Sequence, residues 1–188
     1  MKYILSLDLG THLGYCVSAN NSYCVSANNK LLLHNHIKFK SPFSHDSYLA
    51  FYNTIFNLAC SRPQKTNSVR PFEDWIVVVE KPNTFAPGYH AKRVLFGMLG
   101  IVQFCFKDED TYMVSATTIK KHLTGSGGAD KKSMIESANK LNILHPITDD
   151  NEADAVAISN WFWDKEARGI EGLIALPDNV APFKKKGK

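Results

Sequence analysis

The sequence predicts an α/β protein: a mixed sheet, three antiparallel strands followed by parallel strands, with helices packed against it. Three observations carry this prediction. Strand-type patterns fill the first 39 residues, an almost continuous apolar run at 75–80 suits a strand buried on both faces, and helical periodicity then alternates with single short strands.

Tyr3 to Asp8 alternates with the two-residue period of a strand, placing Tyr3, Leu5 and Leu7 on one face and Ile4, Ser6 and Asp8 on the other. The sequence YCVSANNS at 15–22 is followed by YCVSANN at 23–29. A period of eight residues is far below the roughly 20–50 of solenoid repeats, so this is a local tandem duplication inside a hairpin, with asparagines ending each apolar segment. Leu31 to Phe39 is a third strand, and short turns make the three a meander. After Ser41, Pro42 and Ser44, the segment from Asp46 to Ser61 places Leu49, Tyr52, Ile55, Phe56 and Ala59 at helical spacing, and Arg62, Pro63 and Gln64 stop it. The buried strand Trp75 to Glu80 follows. A loop with Pro82, Pro87 and Gly88 leads to a helix over Tyr89 to Phe106, a strand over Tyr112 to Ser115, and helices over Lys131 to Leu141 and Glu152 to Arg168.

A chain of 188 residues with 44% apolar and 21% charged residues has room for one domain with a sizeable core, and we expect a single domain over 1–176 with a basic tail at 177–188. No apolar run reaches the roughly 20 residues of a membrane span. The N-terminus meets Asp8 after a few apolar residues and shows no cleavage site, so no signal peptide is expected. Cys16, Cys24, Cys60 and Cys105 form no C-x-x-C pair and no zinc spacing, which fits reduced thiols in a cytoplasmic protein. The net charge of +4 resides in Lys184, Lys185, Lys186 and Lys188; the rest of the chain carries 18 basic residues against 18 acids. Such a tail suits either a solvated terminus or a phosphate contact.

Acids stand where a core is expected. Asp8 and Glu80 each close an apolar strand, and open sheets bind ligands at strand ends. In TDDNEADAVAISNW, Asp154 is four residues from Asp150 and three from Asn151, so either pair shares a helix face. Asp149, Asp150 and Glu152 are also the acids a first helical turn favours. That does not account for Asp154, which sits among Ala153, Ala155, Val156, Ala157 and Ile158 and is carried toward the interior. Converging carboxylates repel one another, and clusters of hard oxygen donors are the usual seat of Mg²⁺ or Mn²⁺, ions that support phosphoryl-transfer chemistry. The segment TTIKKHLTGSGGADKKS adds Lys120, Lys121, Lys131 and Lys132 among glycines, a composition that suits either nucleic-acid phosphates or a solvated helix–loop–helix connection.

Together these residues resemble the RuvC-like Holliday junction resolvases of the RNase H-like superfamily. SLDLGTHLGYCV resembles their opening motif, where an acid ends the first strand and a Gly-x-x-x-Gly turn leads into the second. VVVEKP resembles the second-acid strand, VSATTIKKHLTGSGGADKKSM the basic segment, and NEADAVAIS the C-terminal acidic helix, all in the family's order across residues 4–159. The resemblance implies an RNase H-like fold, a homodimer, and Mg²⁺-dependent nicking of opposed strands in four-way DNA junctions, in the service of recombination and repair. It implies Asp8, Glu80 and Asp154 as metal ligands and Lys131 as a DNA contact, with Lys120, Lys121 and Lys132 beside it.

Two positions depart from the family pattern. Asn151 stands where the family has an acid or histidine, with Asp150 one step earlier as the charged contributor and Asn151 as a secondary oxygen donor. Phe85, in a proline-containing loop five residues past Glu80, is the counterpart of the family's aromatic near the junction centre. The compact size and the duplication fit a bacteriophage member. DLGT also occurs in the actin, Hsp70 and sugar-kinase superfamily, but those proteins need two lobes, so no nucleotide cofactor is expected. A ribonuclease H acting on RNA–DNA hybrids, or a junction-binding protein with weakened catalysis, are the alternative readings.

Overall fold

The computed structural model describes residues 3–20, 29–39, 44–60, 75–82, 89–106, 111–141 and 143–167. Much of the YCVSANNS duplication, Cys24, Phe85 and the basic tail lie outside these residues. Strands β1 (Tyr3–Asp8), β2 (His12–Asn20) and β3 (Asn29–Lys38) precede helix α1 (His45–Cys60) and strand β4 (Trp75–Glu80). Helix α2 (Tyr89–Cys105), strand β5 (Thr111–Val114) and helices α3 (Ala116–Thr124), α4 (Lys131–Ala138) and α5 (Asp150–Ala167) complete the order.

The five strands form one sheet in the order β3-β2-β1-β4-β5. β1 pairs antiparallel with β2 and β2 with β3, whereas β4 runs parallel to β1 and β5 parallel to β4. This is the mixed sheet of the RNase H-like fold. The alternation read in β1 divides two cores. Tyr3, Leu5 and Leu7 join Trp75, Val77 and Val79 under α1 and α2, while Ile4 joins Ile76, Val78 and Val114 under α3, α4 and α5. Asp8 and Glu80 share the parity of the second set, so both strands deliver their terminal acids to the face covered by α5.

Two sequence expectations are corrected. The residues before Lys131 contain a helix of their own, α3, whose end signals lie in plain view. Ser115 caps it by accepting from the Thr118 amide, and Gly125 ends it at φ 82°, in the left-handed region that glycine adopts without strain. In α1 the buried stripe is Ser47, Phe51, Ile55, Leu58 and Ala59, leaving Leu49 and Phe56 exposed. Apolar residues surround most of this helix, so periodicity alone admits stripes offset by one position. Elsewhere boundaries move by a residue or a few. Asn139 stops α4 early, its side chain holding the backbone of Ile147 in two hydrogen bonds, and Asp149 starts α5 at Asp150 by accepting from the amides of Asn151 and Glu152. Cys16, Cys60 and Cys105 are free thiols. Among the described residues no helix is long and apolar enough to cross a membrane.

Candidate functional site

The parallel register of β1 and β4 runs to Leu7 opposite Val79, and Asp8 and Glu80 each follow that last pair. On the other side of β1, Asp8 lies opposite Gly14 of β2. Gly14 is where α5 comes down: a Cβ there would collide with the Asn151 carbonyl group. The absent side chain thus lets the start of α5, with Asp150 and Asn151 in its first turn and Asp154 in the next, approach the strand end that carries Asp8.

Electrostatics reports the same convergence. Burial pushes the Asp8 carboxyl well above its ordinary range, and the charges of Glu80, Asp154, Asp150 and Asp149 push it further. Burial and Asp154 raise Glu80 to about 7, against the pull of Lys120. Burial raises Asp154 to about 6, opposed by Lys120 and Lys131 and assisted by Asp150 and Asp149. Among the described residues, Asp154 Oδ1 is one of two buried side-chain polar atoms without a hydrogen-bond partner, the other being Ser6 Oγ on the same face of β1. A buried carboxylate oxygen left unpaired among mutually repelling acids is the environment a divalent cation relieves, and hard oxygen donors suit Mg²⁺ or Mn²⁺. Asp8, Glu80 and Asp154 lie within electrostatic reach of one another and their donor chemistry suits such an ion, but among the described residues only His34, His145 and Glu152 bring three donor atoms within 4.8 Å of one another.

The remaining positions divide. Asp150 contributes charge to the cluster, but its carboxylate is ion-paired with Lys131. Asn151 directs its side-chain amide to Asp149 Oδ1 at 3.0 Å, which commits the NH₂ group and leaves the carbonyl oxygen as its acceptor. Lys120, half-buried on α3, acts electrostatically on Glu80 and Asp154. Lys121 is exposed, and Lys132 is exposed beside Glu136 at 3.8 Å. Lys131 opens α4 directly after its cap Asp130, which accepts from the Ser133 amide, so the GSGGAD turn sets Lys131 facing the start of α5. Phe85 lies outside the described residues.

One cluster escaped the sequence reading. Glu152, an acid of the kind a first helical turn favours, is buried, and its carboxylate meets His34 Nδ1 at 2.6 Å and His36 Nδ1 at 3.3 Å. His145 Nε2 lies 3.7 Å away. His34 and His36, two apart on one strand, were the available signal.

The sheet order is that of the RNase H-like fold. No family model matches the sequence, and no curated protein matches it. Solved structures do. A Thermus thermophilus RuvC in complex with a Holliday junction substrate superposes with a TM-score of 0.64 at 20% identity, covering 88% of this chain and 96% of that one. A second Thermus thermophilus RuvC structure gives a TM-score of 0.61 at 21% identity, covering 87% and 96%. The chain has a RuvC-like fold.

Proposed function

We propose that this protein is a Mg²⁺-dependent endonuclease that resolves four-way DNA junctions, nicking two opposed strands as a homodimer. The observation that carries this reading is the convergence of Asp8, Glu80 and Asp154, with a buried unpaired oxygen on Asp154, at the end of the parallel strand pair. Support for the substrate comes from the junction-bound RuvC whose fold this chain shares over 88% of its length. No observation favours an RNA–DNA hybrid or a loss of catalysis.

Asp8, Glu80 and Asp154 would hold the ions, with Asp150 or the Asn151 carbonyl oxygen completing the set. Bound there, divalent ions activate water and stabilise charge on the scissile phosphate. The chain's own part is to position three carboxyls on two adjacent strands and one helix, where burial favours the protonated form and a bound ion would favour the ionised form. Lys120, inside the cluster, favours that form of Glu80 and Asp154. Lys121, Lys131 and Lys132 would neutralise backbone phosphates flanking the site, and Phe85 would lie near the junction centre. The tail at 177–188 would add non-specific phosphate contacts to the single nuclease domain. For the dimer, support comes from large exposed apolar side chains on the α1–α2 side, among them Leu49, Phe96 and Phe104, the last 84% exposed. We place its action in the cytoplasm.

The test is incubation of the purified full chain with an immobile four-way junction and Mg²⁺, beside duplex, flap and RNA–DNA hybrid controls. Paired nicks in opposed junction strands, absent in EDTA, are expected. Preferential cutting of the hybrid, or junction binding with no cutting when metal is restored, refutes the reading.

A further inference from the structure

Glu152 and Asp154 are two positions apart on α5 and therefore face different directions. Asp154 turns to the acid cluster. Glu152 turns to β3, where a second group of ligand-type side chains gathers: His34 and Glu152, both buried, and the exposed His145 each offer a donor atom, all within 4.8 Å of one another. The rings of His34 and His145 lie 4.1 Å apart between centroids, and His36 Nδ1 is 3.3 Å from the far oxygen of Glu152.

The hydrogen bonds show what this arrangement lacks. The Leu144 amide donates to His34 Nε2 at 3.2 Å, so Nδ1 holds the ring proton and donates to Glu152. His145 has carbonyl oxygens beside both ring nitrogens, Pro146 O at 3.3 Å from Nδ1 and His34 O at 3.2 Å from Nε2. A neutral imidazole carries one N–H. One of its two nitrogens therefore turns a lone pair toward a carbonyl oxygen, and in the tautomer protonated at Nδ1 the Nε2 lone pair, His34 O and Glu152 Oε1 face one point. A cation resolves that repulsion. Imidazole nitrogens with one carboxylate are the donor set of borderline ions, whereas Mg²⁺ prefers oxygen alone.

We propose that His34, His145 and Glu152, with His36 as fourth donor, form a transition-metal site separate from the acid cluster, one that takes Zn²⁺ or a similar ion and clamps the first turn of α5 to β3. The ion takes the place of the proton on His34 Nδ1, and the neutral ring keeps its single N–H by tautomerising: the proton passes through solvent to Nε2, and the Leu144 amide turns away within an exposed connection. The donors draw in to about 2.0–2.2 Å from the ion. The site would fix the end of α5 that carries Asp150 and Asp154, without taking part in hydrolysis.

Tag-free full-length protein, stripped with EDTA, is titrated with Zn²⁺ by calorimetry and with Co²⁺ by visible absorption, in parallel with the Asp154→Asn and His145→Ala variants. His145 has a side chain 49% exposed, so its loss spares the core, unlike that of the fully buried His34. One equivalent of Zn²⁺ is expected to bind wild type and Asp154→Asn alike. His145→Ala should weaken that binding at least about tenfold. Zn²⁺ should raise the Tm by about 5 °C or more at a hundredfold excess over Kd, with Co²⁺ giving the spectrum of a nitrogen-containing low-coordinate site. Full Zn²⁺ binding by His145→Ala, its loss in Asp154→Asn, or no binding by wild type each overturns the proposal. Junction cleavage is not the readout, so failure here leaves the nuclease reading untouched.

Discussion

Gly14 of β2 and Asn151 of α5 are in such close contact that no side chain fits between them: a Cβ on Gly14 would run into the Asn151 carbonyl group. Asp8 lies opposite Gly14 in the sheet, so this contact sets the distance between the acid of β1 and those of α5. Gly14→Ala should push the start of α5 outward. We expect a stability loss of about 1–3 kcal/mol, typical of overpacking, together with a Mg²⁺ requirement for cleavage raised well beyond what the lost stability explains. Urea unfolding and a Mg²⁺ titration of cleavage measure the two effects. Wild-type metal dependence in a destabilised variant would show that the contact matters for packing alone.

Asp8→Asn, Glu80→Gln and Asp154→Asn should each lower junction cleavage at least about a hundredfold, because each removes a proposed metal ligand, while junction binding persists through phosphate contacts. Gel-shift and cleavage assays on the same preparations separate the two functions. Full-rate cutting by any one variant removes that residue from the site.

The pH dependence follows from the raised carboxyls. Glu80 at about 7 and Asp154 at about 6 hold protons in the folded chain through a window in which the unfolded chain has released them. The folded state binds more protons there, so stability without metal falls as pH rises from about 4 through about 7. Asp8 is shifted in the same direction. Metal-free protein should therefore melt higher at pH 5.5 than at pH 8, and Mg²⁺ should recover the difference at pH 8. Asp8→Asn, which removes one of the repelling charges, should raise the metal-free Tm at pH 8 by about 2–4 °C for each kcal/mol of strain relieved. Cleavage runs the opposite way, since protons compete with the ion: the Mg²⁺ needed for half-maximal rate should climb as pH falls from 8 to 6. Calorimetric melts across pH, with and without Mg²⁺, check the sign.

The central sheet was legible because β1 and β4 obey simple rules. Alternation in Tyr3 to Asp8 assigned each residue to its core, and the unbroken run Trp75 to Val79 announced a strand covered on both sides. Asp8, Glu80 and Asp154 stood out as acids that local structure does not call for. Features that depend on distant partners stayed hidden. Glu152 looks like any acid in a first helical turn until His34, 118 residues earlier, is placed against it. The stripe of α1 was offset because Leu49 and Phe56 are as apolar as the Phe51 and Leu58 that the core selects. In α3, by contrast, Ser115 and Gly125 mark both ends in the sequence, and a composition reading of lysines and glycines passed over them.

A fourth oxygen for the ion can come from Asp150 or from Asn151. Asn151 offers a neutral carbonyl oxygen, a weaker Mg²⁺ donor than a carboxylate, and its amide group is already committed to Asp149. Asp150 carries the charge but spends it on Lys131, whose side chain is 80% exposed. An ion pair that exposed contributes little and yields readily to a divalent ion or to a phosphate that draws the lysine away. Substrate and metal would then act in concert: a phosphate that takes Lys131 leaves the Asp150 carboxylate to the metal. Asp150→Ala should raise the Mg²⁺ needed for half-maximal cleavage far more than Asn151→Ala does. Lys131→Ala should lower that Mg²⁺ requirement while weakening junction binding and reducing the salt slope by about one unit. If Asp150→Ala is neutral while Asn151→Ala inactivates, the asparagine itself holds the ion and the lysine pair is a surface contact with no part in the reaction.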